Sequence, residues 1–539
     1  MRWSMRKVWF HMAQTRLAVR RYCPSVAEWT LRLALIVLAI LTGLAWYQRT
    51  INMWQLKNIG DTFIDKDIGT RQIILGTFVR PKHEQNVEGR YAVIHFLGDG
   101  RMEHPLYCFS KQPDNHYLVS HATVQRIHRG KRAASDVCSW AGHIAECEIE
   151  VHAFKEFRIS ATPFVEDSMI IQPEPALKEP RHDLVVCVAP MYIYTDWEIM
   201  LAGIETWLAL GATKIVVPIQ SASTSTYKIL QEYEKRGLVI IRQWPKWPTL
   251  SDTNPNGLVL SRGIEESHVN CLFLVKPWAD LVVFTDIDDM LLPTDPLTVK
   301  PSMNLDIIRS LFEEHPQAGS LLFEHRDTQF ALPPPRDIMT LDTFNFDFLL
   351  NSKTKQNCNV WRMKTRVVVN ASRVDSVNMH ETGIHRFGYV QTRVPCTRAH
   401  FYHLRHSHNS VGSPASIDMT SLASLLNKEW KMRLEDFSSF RNVPLNKSST
   451  ESFEDFDRCM SAINEEHWGM KVSRCLTPHV CFSRLKRSVE CIASRADYSF
   501  FRSGVGYFIQ AADPKLGPSD ENCEAPEGRF ATGNHYFSP

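Results

Sequence analysis

The chain lacks an excess of charge of either sign: 61 Lys and Arg stand against 59 Asp and Glu, a formal net charge of +2 in 539 residues. Attachment to nucleic acid through phosphate neutralisation needs a basic surplus, so that class is set aside. No internal repeat or low-complexity tract occurs, which excludes solenoids and propellers. No C-x-x-C is found among the 13 cysteines, which argues against a zinc ribbon or a dithiol redox centre. There is no G-x-x-x-x-G-K-[ST], hence no P-loop kinase or sulfotransferase site, and no G-x-S-x-G nucleophile elbow. "DIDDML" lacks the third ligand and the Gly of a calcium loop. "HETGIH" fails as a zinc-protease helix. Its histidines, His380 and His385, are five apart, about 140° round a helix against about 40° for a spacing of four, and Gly383 weakens a helix there.

What is present begins with an asymmetric N-terminus. Arg2, Arg6, Lys7, Arg16, Arg20, Arg21 and Arg32 precede the apolar run Leu33–Tyr47, with Glu28 the acid among them. With Trp29 to Leu31 in front, the segment approaches the roughly 20 residues a helix needs to cross a bilayer. Basic residues on its N-terminal side predict a signal-anchor with the N-terminus cytosolic and the rest lumenal, that is, single-pass type II. The short span suits the thinner membranes of the Golgi or endoplasmic reticulum. The alternative is a cleaved signal peptide, with Gly43-Leu44-Ala45 as the cleavage site.

Cysteine usage agrees with a lumenal location. Cys23 falls on the cytosolic side. The other twelve, an even number, predict disulfides in an oxidising compartment. Cys187 and Cys271 lie in apolar runs and also read as simple buried thiols. Sequons at Asn370 and Asn446 are glycosylation acceptors if lumenal and exposed. An apolar content of 44% supplies material for cores, and the length predicts two or three domains. The boundaries read as a cytosolic tail (1–28), a transmembrane anchor (29–47), a stem (48–75), a β-rich domain (76–180), an α/β domain (181–410) and a C-terminal helical and cysteine-containing extension (411–539).

The β-rich part shows short alternating stretches such as "YAVIHFL" and "CEIEVHAF", and the Pro-rich 172–180 links it onward. The rhythm then changes. "LVVCVA", "KIVVPI", "LVIIRQW" and "LVVFT" are apolar runs of strand length separated by helical stretches. Trp197, Met200, Leu201, Ile204, Trp207 and Leu208 recur at three and four, with Thr195 or Asp196 as a cap and Gly211 as a stop. A second helix ends at Gly237, and 259–275 reads as a third. Strands without polar alternation predict a mostly parallel sheet covered on both faces. "AGSLLFEH", "RVVVNA" and "YVQTRV" read as further strands, and Ser421–Leu434 as a helix.

Ligands of such sheets bind beyond the carboxyl ends of the strands. There, after "LVVFT", stand Asp286, Asp288 and Asp289. Two carboxylates one residue apart need a counter-charge to stay ionised together. A hard divalent cation supplies it and holds a diphosphate against the protein. D-x-D alone equally describes a solvated acidic turn; its position at the end of an apolar strand in an α/β run favours the metal site.

Residues 183–405 resemble glycosyltransferase family 92. The match is carried in order by "VVCVAPMY", "IETWLALGATKIVV", "NCLF", "VVFTDIDDMLLP", "VVVNASRVDSVNMH" and "YHLRH". The resemblance implies a GT-A (Rossmann-like) domain, metal-assisted sugar transfer and type II topology. It implies galactose moved from a UDP-sugar to a glycan or glycoprotein hydroxyl, with Mn²⁺ (or Mg²⁺) and inversion. The chain departs from the family pattern at Asp289, where Glu is expected, and at Asn270, where Asp is expected.

Roles follow by position. Asp286 and Asp288 are the metal ligands, Asp289 orients, and His403 is the further ligand. Arg405 pairs with phosphate or sits in a surface salt bridge. Pro190 and Tyr192 either stack the base or, for the aromatic, pack in the core; Gln220 reaches ribose or uracil, and Asn270 accepts from a sugar or ribose hydroxyl. His380 with Glu381 is the candidate base that deprotonates the acceptor, with Asp375 and Glu324 as rivals. Trp244 and Trp247 either stack on sugar or pack in the core. Two other readings stand beside the enzyme. One is an inactive family member acting as a lumenal glycan-binding or partner protein, supported by Asn270. The other is a disulfide-bonded surface interaction protein, which has no need of Asp286 and Asp288.

Overall fold

A computed structural model describes residues 29, 32–47, 70–81, 90–128, 140–149, 156–174, 179–250, 255–329, 340–355, 365–378, 380–405, 414–445, 489–519 and 523. The chain divides into two compact units, Met1–Ile68 and Gly69–Pro539. In the first, residues 32–47 are helical and exposed. Among the described residues no helix is both long and apolar enough to cross a membrane. The tail read at 1–28, Cys23, the stem up to residue 69, Asn446 and Cys138, Cys358, Cys459, Cys475 and Cys481 fall outside the described residues.

The second unit is built round a mixed sheet. His182–Val188 (β1), Lys214–Ile219 (β2), Val239–Gln243 (β3) and Ala279–Thr285 (β4) are the four apolar runs of the sequence. They pair in parallel in the order β3-β2-β1-β4. Asp289–Pro293 (β5), Ala318–Gln329 (β6), Thr365–Asn370 (β7), Val374–Val377 (β8), Thr382–His385 (β9) and Ala399–Arg405 (β10) follow. β7 runs antiparallel to both β4 and β6, so beyond β4 the sheet is no longer parallel.

The helices explain why β1 is apolar throughout. Trp197–Ala209 (α1) and Thr224–Lys235 (α2) cover one face, packing with Leu184, Val186 and Val188. Ile264–Val275 (α3) covers the other, packing with Val185 and Cys187. Alternate side chains enter different cores, so no position is left polar. Gly211 and Gly237 end α1 and α2 at φ of 113° and 70°, the left-handed geometry that favours glycine. The expected cap of α1 differs: Asp196 holds the cap position, but no side-chain hydrogen bond caps the helix. Ser223 does cap α2, accepting from the Thr226 amide. Met303–Glu314 (α4) and Thr420–Asp436 (α5) complete the helices; α5 meets Glu205 of α1 through Arg433.

α3 is buried on nearly every side because the β-rich region packs on its outer face. In that region Thr70–Pro81, Arg90–Asp99, Trp140–Ile149 and Thr123–Arg126 form one sheet. Its first strand starts at Thr70, inside the segment read as stem. The same sheet takes in Tyr507–Ala511, which pairs in parallel with Thr70–Ile73, and Ser499–Arg502 beyond it. The C-terminal region is therefore not helical alone. It returns to close the N-terminal sheet, and Cys491–Arg495 pairs with Ser221–Ser223 after β2.

Three disulfides join described residues: Cys108–Cys147, Cys187–Cys271 and Cys491–Cys523. The reading of Cys187 and Cys271 as buried thiols is corrected; they bond β1 to α3. Both lie in apolar runs because the bond crosses the core between sheet and helix.

Candidate functional site

β1 and β4 are neighbours, but the chain leaves β1 through α1 on one face and enters β4 from α3 on the other. This is the switch point at which an α/β sheet opens a crevice beyond its strand ends. The Ala189 amide donates to Thr285 O at 2.8 Å, bringing the end of β1 against the end of β4. The chain then turns, with Asp289 N donating to Asp286 O at 3.2 Å, and enters β5.

The alternation expected of D-x-D holds. Ile287 is buried, while the side chains of Asp286 and Asp288 are 28% and 25% exposed. Ile287 fits because residue 203 of α1 is glycine: a Cβ there would stand 1.8 Å from the Ile287 carbonyl oxygen. β5 pairs antiparallel with β10, setting Asp289 opposite His403, and β10 runs beside β6, which carries His325. The ligand atoms of Asp286, Asp288, Asp289 and His403 lie within 4.8 Å of one another.

Asp289 is fully buried and both its oxygens are used inside the protein. Oδ2 accepts from Thr285 Oγ1 at 2.8 Å, from the Asp286 amide at 3.0 Å and from Arg366 Nε. Oδ1 meets His325 Nε2 at 3.1 Å and His403 Nδ1 at 2.6 Å. Burial would raise this carboxyl, but Arg366, His325 and His403 outweigh it and hold it well below the usual carboxylate range. Both oxygens of Asp289 are therefore engaged by side chains and an amide of the protein. A carboxylate only accepts, so His403 carries its proton on Nδ1 and its lone pair on Nε2, the arrangement of a carboxylate-oriented metal ligand.

Asp288 differs. Among the described residues its carboxylate accepts no hydrogen bond, and His403 Nδ1 stands 3.6 Å away. Burial, together with the charges of Asp289 and Asp286 and against those of His403 and Arg366, pushes it up to about 7. Two part-exposed carboxylates and an imidazole are the hard oxygen and nitrogen donors that suit Mn²⁺ or Mg²⁺. Asp286, Asp288 and His403 fit such an ion, and Asp289 is already committed elsewhere.

Arg366 and His325 were not picked out from the sequence. Arg366, at the start of β7, binds Asp286 and Asp289 and supplies the counter-charge that lets the cluster exist without a cation. A lone Arg opening the apolar run "TRVVVN" was the available signal.

His380 and Glu381 lie in the turn between β8 and β9. Asn378 Oδ1 accepts from both of their amides, at 2.8 and 2.6 Å. His380 Nδ1 meets Thr365 O at 3.0 Å, which ties it to the residue before Arg366. A carbonyl only accepts, so the proton sits on Nδ1 and the lone pair on Nε2. Glu381 Oε1 meets His128 Nε2 at 3.2 Å. The rivals are engaged in ion pairs: Asp375 with Lys276 and Arg386, Glu324 with Arg326 at 3.5 Å.

Other expected contacts are corrected. Asn270 faces the β-rich region: its amide donates to Leu75 O at 3.0 Å, and its oxygen accepts from Arg242 at 3.0 Å. A residue on the outer face of α3 meets that region rather than a sugar. Gln220 directly follows β2 but is 2% exposed beneath Ser494, whose amide donates to its carbonyl at 2.8 Å. Pro190 is buried, and Tyr192 packs with Trp244 and Trp247, both core residues. Arg405 ends β10; its side chain lies outside the described residues.

The model of glycosyltransferase family 92 matches residues 182–456, slightly more than half of the chain. Two Caenorhabditis elegans proteins described as members of that family are similar. One is 23% identical over 279 residues, covering 49% of this chain and 52% of its own. The other is 24% identical over 272 residues, covering 50% and 49%. The match thus spans about half the length of these relatives. Among solved structures, S. aureus TarS 1–349 is similar at a TM-score of 0.25 and 12% identity, over 54% of this chain and 75% of that one. The same protein in complex with UDP-GlcNAc gives 0.24 and 10%, over 53% and 73%. The family profile covers β1 through α5, the elements that assemble the carboxylate and histidine cluster, and the chain belongs to glycosyltransferase family 92.

Proposed function

We propose that the protein is a GT-A-type glycosyltransferase that moves a hexose, galactose, from a UDP-sugar to a glycan hydroxyl with inversion and with Mn²⁺ or Mg²⁺. The observation that carries this is the pair Asp286 and Asp288, part-exposed at the switch point beside a His403 whose tautomer Asp289 fixes. Asp286, Asp288 and His403 hold the cation. When bound, the cation supplies positive charge against the leaving diphosphate. Arg366 and Asp289 keep the turn in place, so little reorganisation is needed when the donor arrives. Arg405 closes β10 on the phosphate side. His380 Nε2 takes the acceptor proton as the hydroxyl oxygen bonds the anomeric carbon and the bond to the diphosphate breaks.

An anchored, lumenal Golgi or endoplasmic-reticulum enzyme is the setting proposed. Its support is the basic N-terminus before the apolar run and the disulfides of the second unit. The inactive-member reading leaned on Asn270. That residue serves a contact between α3 and the β-rich region, so its departure from the family pattern no longer points away from catalysis. The test is UDP-sugar hydrolysis and transfer with Mn²⁺, wild type against Asp288→Ala. Loss of both activities and of Mn²⁺ binding, with folding retained, supports the enzyme. UDP binding without turnover in the wild type supports the glycan-binding reading instead.

A further inference from the structure

The turn that carries His380 and Glu381 is not held by the family domain alone. The β-rich region reaches it with residues 127 and 128, just past its Thr123–Arg126 strand. Ser376 Oγ donates to the Ile127 carbonyl. Gly383 passes beneath the same carbonyl, so closely that a Cβ would come within 2.2 Å of it. His128, 8% exposed, directs Nε2 at Glu381 Oε1 at 3.2 Å. Ile127 is itself anchored, its amide donating to Gly142 O at 3.1 Å. A buried imidazole at the seam of two regions is costly to keep unless its hydrogen bond serves something.

We propose that the β-rich region completes the acceptor side of the catalytic centre, with His128 a positioning residue that holds Glu381, and through it the adjoining His380. The inference rests on the reading of the protein as a glycosyltransferase with its base in that turn. Two groups face His128 with negative charge, Glu381 from the turn and Glu265 from α3. The hydrogen bond to Glu381, reduced by burial and reinforced by Glu265, raises the imidazole above its ordinary value. The contact is therefore charge-assisted over a wider span of pH than an isolated imidazole would give. Its partner sits one residue from His380, and a misplacement of about 1 Å at a reacting group can cost on the order of 10²-fold in rate. His128 touches neither donor nor cation, so it acts on the acceptor step and leaves donor binding alone.

The experiment compares wild type, His128→Ala and His128→Gln, whose amide nitrogen replaces Nε2 as donor. Three readouts are taken: amide hydrogen exchange across 374–385, sugar transfer against UDP-sugar hydrolysis, and UDP affinity with Mn²⁺. The expected result for His128→Ala is faster exchange in the turn and transfer down roughly tenfold or more, with UDP affinity unchanged. His128→Gln restores exchange protection and most of the transfer. Unchanged exchange in His128→Ala overturns the proposal, as does an equal fall of transfer, hydrolysis and UDP affinity. A wild type that neither transfers nor hydrolyses overturns the glycosyltransferase reading itself; the exchange measurement then decides separately whether His128 holds Glu381.

Discussion

Gly203→Ala tests whether the metal turn depends on close contact with helix α1. The added Cβ would lie 1.8 Å from the Ile287 carbonyl oxygen and 3.1 Å from its carbon. Carbon and carbonyl oxygen approach to roughly 3.3 Å at closest, so one side must retreat by about 1.5 Å. α1 cannot retreat easily, since Met200, Leu201, Ile204 and Trp207 are fully buried round it. The turn has to move. For stability two effects oppose each other. Alanine favours the helix by about 1 kcal/mol over glycine, and forced overpacking costs about 1–3 kcal/mol. The net loss is about 2 kcal/mol or less, leaving a folded protein. For function nothing offsets the shift, because Ile287 lies between Asp286 and Asp288. A displacement of that size predicts transfer down on the order of 10²-fold and Mn²⁺ affinity down by at least about tenfold. Calorimetric Mn²⁺ titration with UDP, steady-state transfer and a thermal melt measure the three quantities. Wild-type Mn²⁺ affinity and turnover in a folded Gly203→Ala protein would refute the argument that this glycine shapes the site.

Further expectations concern the groups around it. Asp289→Ala removes the buried partner of Arg366 and the acceptor that fixes His403; breaking a buried ion pair from one side costs about 3–5 kcal/mol, read as a lowered urea midpoint with Mn²⁺ affinity lost alongside. Glu266 is buried on α3 with its Oε1 accepting from the Gly142 amide at 3.0 Å, and burial beside Glu265 pushes it up to about 8. Its folded pKa exceeds the unfolded one of about 4.3, so its contribution is complete below that value and is lost as pH rises towards 8. Glu266→Gln keeps the acceptor and should flatten the fall of stability between roughly pH 5 and 8; an unchanged slope in chemical denaturation across that range counts against the buried acid. Cys271→Ser opens a bond spanning 84 residues between β1 and α3. Removing such a bond typically costs about 2–5 kcal/mol, so its melting temperature in non-reducing buffer should drop below that of the wild type.

Much of the α/β domain was legible. The four apolar runs became β1 to β4 because each is covered on both faces, and the glycines closing α1 and α2 stand where the expected stops were placed. Asp286, Asp288 and His403 converge although 115 residues separate the last two. Arg366 and His325 were not legible. Neither carries a spacing signal, and each acquires its role from the strand beside it. Asn270 and Gln220 misled for the same reason: position along an element does not reveal which neighbour covers it.

Local chemistry set the strands, the helices and the acidic turn, since periodicity, glycine stops and like charges at a strand end act over a few residues. The partners were a tertiary matter. Pairing of Tyr507–Ala511 with Thr70–Ile73, the Cys187–Cys271 bond, the Arg366 counter-charge and the reach of His128 to Glu381 all join residues distant in the chain. Such contacts form only when burial brings whole elements together, and no short stretch of sequence holds that information.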